Sequence, residues 1–312
     1  MNQASLFFFI KVFFSAVVVY FLGKNLNFQQ VKHVVAHLSY SSILFCIAWL
    51  WIGLFTGAKR WQEIIACNFR RIPLPILWSQ VLVGAFLNQC LPSSVGGDVY
   101  RGFMAKRHGL STEWAINSTL IDRFYGVMGL ILVGLLALPF EFASLIHTYL
   151  GQSLIICLLL SFLGFIILLL LHRLPLAWLP IFHPFVTFSQ RLWLTFKQKS
   201  GTFRILFFSI LTSSGLVIPL YILALDMNLK VSLPQILITI PFIFLISVLP
   251  FSFAGWGLRE GAMVVTFALF GISKESAFAL SVVFGFIQIL ASLPGLIVWL
   301  FHRPKNLQVP TS

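Results

Sequence analysis

Residues 91–102 read LPSSVGGDVYRG and residues 249–261 read LPFSFAGWGLREG, two polar stretches set in strongly apolar surroundings. They share Leu91/Leu249, Pro92/Pro250, Ser94/Ser252, Gly97/Gly255 and Arg101/Arg259 at a constant offset of 158 residues, about half the chain. Each follows an apolar stretch of spanning length (Leu74–Leu91 and Leu233–Leu249) and precedes a second, shorter one. Proline lacks an N–H and breaks a helix, and a break in hydrocarbon strands backbone groups that lipid cannot satisfy. Such a unit is tolerated only where protein buries it or where it lines a wet cavity.

The rest of the chain has the composition of a membrane protein. Of its 312 residues 59% are hydrophobic and 9% charged, with 34 Phe, whereas about a quarter of the residues in a soluble domain are charged. Every soluble class is thereby excluded. Leu6–Leu22, Ser39–Gly57, Glu113–Leu138, Leu150–Leu171, Arg204–Leu225 and Ser276–Leu300 read as full helical crossings of about 30 Å of hydrocarbon. Plain hydropathy, counting the two interrupted stretches as well, gives eight. The first run lacks a basic leader and a small-residue cleavage site, which predicts an uncleaved span. A net charge of +13 would point to nucleic acid in a soluble chain. Here the basic residues sit in short loops, so the expected partners are anionic membrane headgroups, and no nucleic acid. Cys46, Cys67, Cys90 and Cys157 lack metal-ligand spacing; three read as small hydrophobes within or near spans, and no metal or disulfide is assigned.

Charge asymmetry sets the predicted topology. Fourteen Lys and Arg lie between the second and third spans, after the first polar stretch, between Arg173 and Arg204, and in the tail; the remaining loops hold four. Basic loops are cytoplasmic, and both flanks of Leu74–Arg107 are basic. That segment is therefore predicted to enter from the cytoplasm, turn near mid-membrane and return, and Leu233–Gly271 to do so from the opposite side. Eight ordinary spans would leave one basic loop misplaced. The predicted fold is an all-α polytopic membrane protein with six full spans and two opposed re-entrant hairpins, both termini cytoplasmic. A single membrane domain covers 1–312, with a cytoplasmic connector at 173–203. The halves 1–138 and 150–300 each contain three crossings, an odd number, which predicts an inverted repeat of the kind found in secondary transporters.

The breaks supply the candidate site. Ser93 and Ser94 offer hydroxyls, Gly96-Gly97 permits a turn with positive φ, and Asp98 suits the start of a helix. Ser252, Gly255, Arg259 and Glu260 repeat the pattern in the second hairpin. Two half-helix N-termini, each followed by an arginine (Arg101 and Arg259), would make a seat for a phosphate. The plainer reading is that the glycines allow close packing and the arginines snorkel to water. Asp122 and Arg123 fall deep in a span, where charges face the interior and pair. Arg101 or Arg259 are the expected partners of Asp122, and Asp98 or Glu260 those of Arg123. Asn88 and Gln89 precede the first break, and Gln288 is placed to line a cavity wall. Glu63, Glu113, Glu141, Asp226 and Glu275 read as solvated interface or loop residues. Residues 25–38 read as a short interfacial helix. No histidine lies in a zinc motif and no nucleotide-binding motif is present, so no cofactor is expected.

NQCLPSSVGGDVYRG (88–102), STLIDRFYG (118–126), SFAGWGLREG (252–261) and LPGL (293–296) together resemble the lysylphosphatidylglycerol synthase transmembrane-region family. The resemblance implies a flippase-like integral membrane protein of a bacterial inner membrane. Its substrate would be a phospholipid or isoprenoid-phosphate lipid, with an envelope-lipid synthesis enzyme as functional partner. It places Asp98, Arg101, Asp122, Arg123, Arg259 and Glu260 at the family's polar positions. Two departures stand out. The sequence ends twelve residues after Leu300, so no aminoacyl-transferase domain and no synthase activity are expected. Trp256 stands where a small residue is expected and would narrow the site. Lipid transport leads; a membrane-embedded enzyme acting on lipid headgroups and an accessory subunit of an envelope-lipid complex are the alternatives.

Overall fold

The computed structural model describes residues 20, 24, 26–91, 95–174, 181–247 and 255–301. The first predicted span lies almost wholly outside these, as do Pro92, Ser93, Ser94, Pro250 and Ser252 of the two breaks. The described residues form helices. A short α1 (Phe28–Val35) leads into α2 (Tyr40–Ala66), followed by the pair α3 (Leu74–Cys90) and α4 (Gly96–Arg107). Next come α5 (Thr112–Ile146), α6 (Tyr149–Leu170) and the connector helix α7 (His183–Lys197). The chain then runs through α8 (Lys199–Asp226), the pair α9 (Leu233–Ser247) and α10 (Leu258–Ala268), and α11 (Lys274–Phe301).

Five of these, α2, α5, α6, α8 and α11, are long and apolar enough to cross a membrane. They correspond to the second through sixth predicted spans. Their starts follow from local chemistry: Ser39, Ser111 and Thr148 each accept a hydrogen bond from a first-turn amide of α2, α5 and α6. Asp226, read from the sequence as merely solvated, also accepts from the Ser39 amide at 2.7 Å and ties the end of α8 to the start of α2. Two spans run on past their predicted ends. α5 continues to Ile146 through Pro139. α2 continues past Gly57 to Ala66, so Lys59, Arg60 and Glu63 are helical rather than part of a solvated loop.

The interrupted stretches form short helices. At 1.5 Å per residue α3 reaches about 26 Å, α9 about 22 Å, and α4 and α10 less than about 20 Å, against about 30 Å of hydrocarbon. Each pair packs on itself, α3 on α4 and α9 on α10. The wider packing follows one pattern in both halves: α3 lies on α11 as α9 lies on α5, and α4 lies on α5 as α10 lies on α11. The seam between α2 and α8 joins the halves. There Gly53 and Gly215 meet so closely that a Cβ on Gly53 would lie 2.8 Å from the Gly215 Cα. Thr56 and Thr212 hydrogen-bond across the seam at 3.1 Å, and Trp49 Nε1 donates to the Ser214 carbonyl at 3.0 Å.

Two apolar cores flank this seam. One gathers Trp61, Ile65, Leu77, Ile121 and Tyr125 around α3 and α4, and the other Leu220, Ile236, Met263, Phe267 and Leu280 around α9 and α10. On the outside, α6 exposes Ile156, Leu159, Leu160, Leu163 and Ile167, an apolar face that lipid would cover. α1, expected within 25–38, forms with Asn27 as its cap and has its apolar side against the second core.

Candidate functional site

The site begins with a helix face. Gly53, Thr56, Gly57 and Arg60 recur on α2 at intervals of three and four, so they share one side of it. The small residues admit α8, and Arg60 follows them into the interior, where it is 6% exposed. Its Nε donates to Asp122 Oδ1 at 2.7 Å. The other oxygen of Asp122 accepts from Arg101 Nη2 on α4 at 2.8 Å. Arg101 Nη1 donates in turn to Asp98 Oδ1 at 3.3 Å, and Asp98 Oδ2 accepts from Arg123. The result is an alternating chain of five charges, Arg60–Asp122–Arg101–Asp98–Arg123, built from α2, α4 and α5. Below it Trp61 presents its ring to the Arg101 guanidinium at 4.2 Å, and Trp61 Nε1 donates to Ser118 Oγ.

The second pair of short helices, α9 and α10, builds its own cluster. Positive φ at Gly255 (84°) and Gly257 (87°), a region that only glycine enters freely, makes the tight turn before α10. Glu260 turns back to accept from the Gly257 amide and also holds Arg259 at 2.7 Å. Arg259 reaches Ser281 at 3.3 Å and Gln288 at 3.1 Å on α11. Its guanidinium lies 4.8 Å from the Trp256 ring, which also meets Phe286. Arg101 and Arg259 thus share one device, an indole beneath the guanidinium. Trp256 thus supports Arg259, and it does not lie among the described residues that line the cavity.

Both clusters face one cavity of about 1050 Å³. Asp98, Arg101, Asp122 and Arg123 line it from one side, with Arg60; Gly255, Arg259 and Gln288 line it from the other. Phe165 of α6 and Phe185 and Phe188 of α7 complete an apolar wall, so the connector 173–203 contributes a helix to the cavity.

The structure places the predicted site residues as follows. Asp122 meets Arg101 and Arg123 meets Asp98, two of the expected pairings, while Glu260 serves Arg259 instead of Arg123. Gln288 is a wall residue, as expected. Gly96 and Gly97 differ from the prediction: both are helical, in the first turn of α4, and neither has positive φ. Gly97 is there for contact, since a Cβ would fall 2.7 Å from the Gly84 carbonyl carbon. Its N–H donates to Asn88 Oδ1 at 2.8 Å, so this start-of-helix donor is used within the protein. Arg60 was assigned to a basic loop, and only its spacing from Gly53, Thr56 and Gly57 could have revealed it. Glu63, expected to be solvated, is buried and pairs with Arg71 and, at 2.9 Å, with Arg204.

The family model for the lysylphosphatidylglycerol synthase TM region matches residues 8–295. The chain belongs to that family. A search of curated proteins finds no match. Family membership and the five long apolar helices together make the chain a multi-pass membrane protein. The charged chain lies wholly within the matched region, so it belongs to the family's membrane domain.

Proposed function

We propose that the protein is a lipid transporter that moves a phosphate-bearing lipid between the leaflets of a bacterial inner membrane. The observation that carries this reading is the arginine-bearing cavity between the two interrupted helices. A scaffold has no need to line an interior cavity with four arginines, three of them buried, because each costs several kcal/mol to desolvate. In the proposed mechanism the headgroup occupies the cavity, the arginines replace its lost water, and the acyl or isoprenoid chains stay in hydrocarbon. Ser93, Ser94, Gly96, Gly97, Ser252 and Gly255 would serve the backbone turns beside the headgroup, Asp98, Arg101, Asp122, Arg123 and Arg259 would form the charged walls, and Glu260 would hold Arg259.

The proposed architecture is two opposed re-entrant hairpins related by an inverted repeat, with both termini cytoplasmic. Short α3–α4 and α9–α10 pairs and the matched packing of the two halves support it. An envelope-lipid synthesis enzyme would supply the substrate on the cytoplasmic side.

The test is leaflet exchange of labelled lipids in reconstituted liposomes. Arg259→Gln keeps a hydrogen-bonding group beside Glu260, and it should reduce exchange at least about tenfold, a loss of roughly 1.4 kcal/mol of barrier lowering. Arg101→Gln should do the same. Wild-type exchange rates in both variants would refute the headgroup role.

A further inference from the structure

We infer that the cavity selects lipids by headgroup charge and takes a phosphodiester with a single negative charge. This rests on the transport reading above and specifies its substrate class. The first observation is the balance of charge. Among the described residues the charged groups lining the cavity are Arg60, Arg101, Arg123, Arg259, Asp98 and Asp122, and Glu260 is bound to Arg259. Four arginines, always protonated, face three carboxylates. One positive charge is left over in a low-dielectric interior, where it is best balanced by one negative charge on the ligand.

The second observation concerns unused hydrogen-bonding capacity. Arg60 Nη1 and Arg101 Nε make no hydrogen bond among the described residues; both side chains line the cavity and are nine-tenths or more buried, and these two nitrogens are covered by neighbouring atoms, so a ligand oxygen reaches them when the side chains turn. The carboxylates are in the opposite condition. Both oxygens of Asp98 and both of Asp122 accept from arginine, and both of Glu260 are occupied by Arg259, Ser281 and the Gly257 amide. Among the described residues these two arginines keep unused donors, while every oxygen of the three carboxylates is occupied. Because Arg60 and Arg101 grip the two oxygens of the same Asp122, their spare donors serve one locality. A phosphodiester offers oxygens to both and brings one charge. A zwitterionic headgroup adds an ammonium with no free carboxylate to meet, and a doubly charged phosphomonoester overshoots the balance.

Binding and transport are to be measured separately. In detergent, native mass spectrometry compares phosphatidylglycerol (one negative charge), phosphatidylethanolamine (zwitterion) and phosphatidic acid (a monoester whose second ionisation falls near pH 6). Phosphatidylglycerol should bind on the order of tenfold better than phosphatidylethanolamine, within the range that charge complementarity supplies. Arg123→Gln removes the surplus charge at the least buried member of the chain and should collapse that preference. Asp98→Asn adds to the surplus and should shift the preference toward phosphatidic acid. The opposite directions separate a charge effect from a general loss of structure, which would weaken all three lipids alike. Equal binding of phosphatidylglycerol and phosphatidylethanolamine, no binding of either, or an unchanged ratio in Arg123→Gln overturns the inference. Glycerophosphoglycerol, a diester without acyl chains, competing as strongly as the lipid would overturn its lipid part. Selective binding without exchange in liposomes would uphold the charge selectivity and refute transport.

Discussion

Asp122 is the residue on which the site depends. It is 3% exposed, and its two oxygens separate two guanidiniums that would otherwise repel across the interior. Removing one member of such a buried set costs roughly 3–5 kcal/mol, because a charge is left without its counterion. Asp122→Ala should therefore lower the melting temperature in detergent and raise the aggregated fraction. Arg60→Gln with Asp122→Asn removes one charge of each sign and should recover part of the loss. A double variant no more stable than Asp122→Ala would mean that the Arg60 pairing contributes nothing. The need for pairing was readable from the sequence, since a carboxylate ten residues into a span must find a cation. The identity of one partner was not. Arg60 was counted by its loop-like neighbours Lys59, Arg70 and Arg71, and a count of charges along the chain does not register which way a helix face points.

Individual helices set the shape of the cavity and its tolerance to change. Gly164 on α6 lines the cavity, and a Cβ added there would meet nothing within 4 Å. Gly164→Phe should project into open space and obstruct passage without straining the fold. The expected outcome is lost lipid exchange with a melting temperature near wild type; normal exchange would place the transport path elsewhere. Gly53 on α2 is the opposite case, because its missing Cβ is what lets α8 approach. Gly53→Val should cost about 1–3 kcal/mol through overpacking, seen as a lower melting temperature. Both residues are glycines in apolar helices; Gly53 has Gly57 four residues on, a small-residue spacing that marks a packing face, and Gly164 has Leu160 and Leu168 at those positions. The contrast arises from what lies opposite, which is fixed by helix packing.

For the molecule as a whole, accessibility of the loops reads out how the halves are inserted. If the hairpins are re-entrant, cysteines placed at Arg70 and Lys106 in a background lacking Cys46, Cys67, Cys90 and Cys157 should both react with an impermeant maleimide from the cytoplasmic side. Cysteines at Lys230 and Lys274 should react only from the other side. Labelling of positions 70 and 106 from opposite faces would replace the hairpins by ordinary crossings. The physical basis is length: α4 and α10, at 12 and 11 residues, are too short to cross about 30 Å of hydrocarbon alone.

The sequence by itself determined the class of the molecule, the positions of five long spans, the two interrupted units and the family. Each of these follows from hydropathy, proline and glycine chemistry, or motif spacing, all properties local to a stretch of chain. It also marked Asp98, Arg101, Asp122 and Arg123 as a group, because charge at membrane depth is too costly to leave unpaired. Only the tertiary structure decided that Arg60 completes that group, that Glu63 is buried between Arg71 and Arg204, and that Asn88 takes the Gly97 amide. It also decided that Trp256 supports Arg259 and that α7 helps wall the cavity. These are contacts between residues far apart in the chain or on opposing helix faces, and they depend on how each helix is rotated against its neighbours. That rotation comes from packing summed over whole interfaces, such as the α2–α8 seam at Gly53 and Gly215, and no short stretch of sequence encodes it.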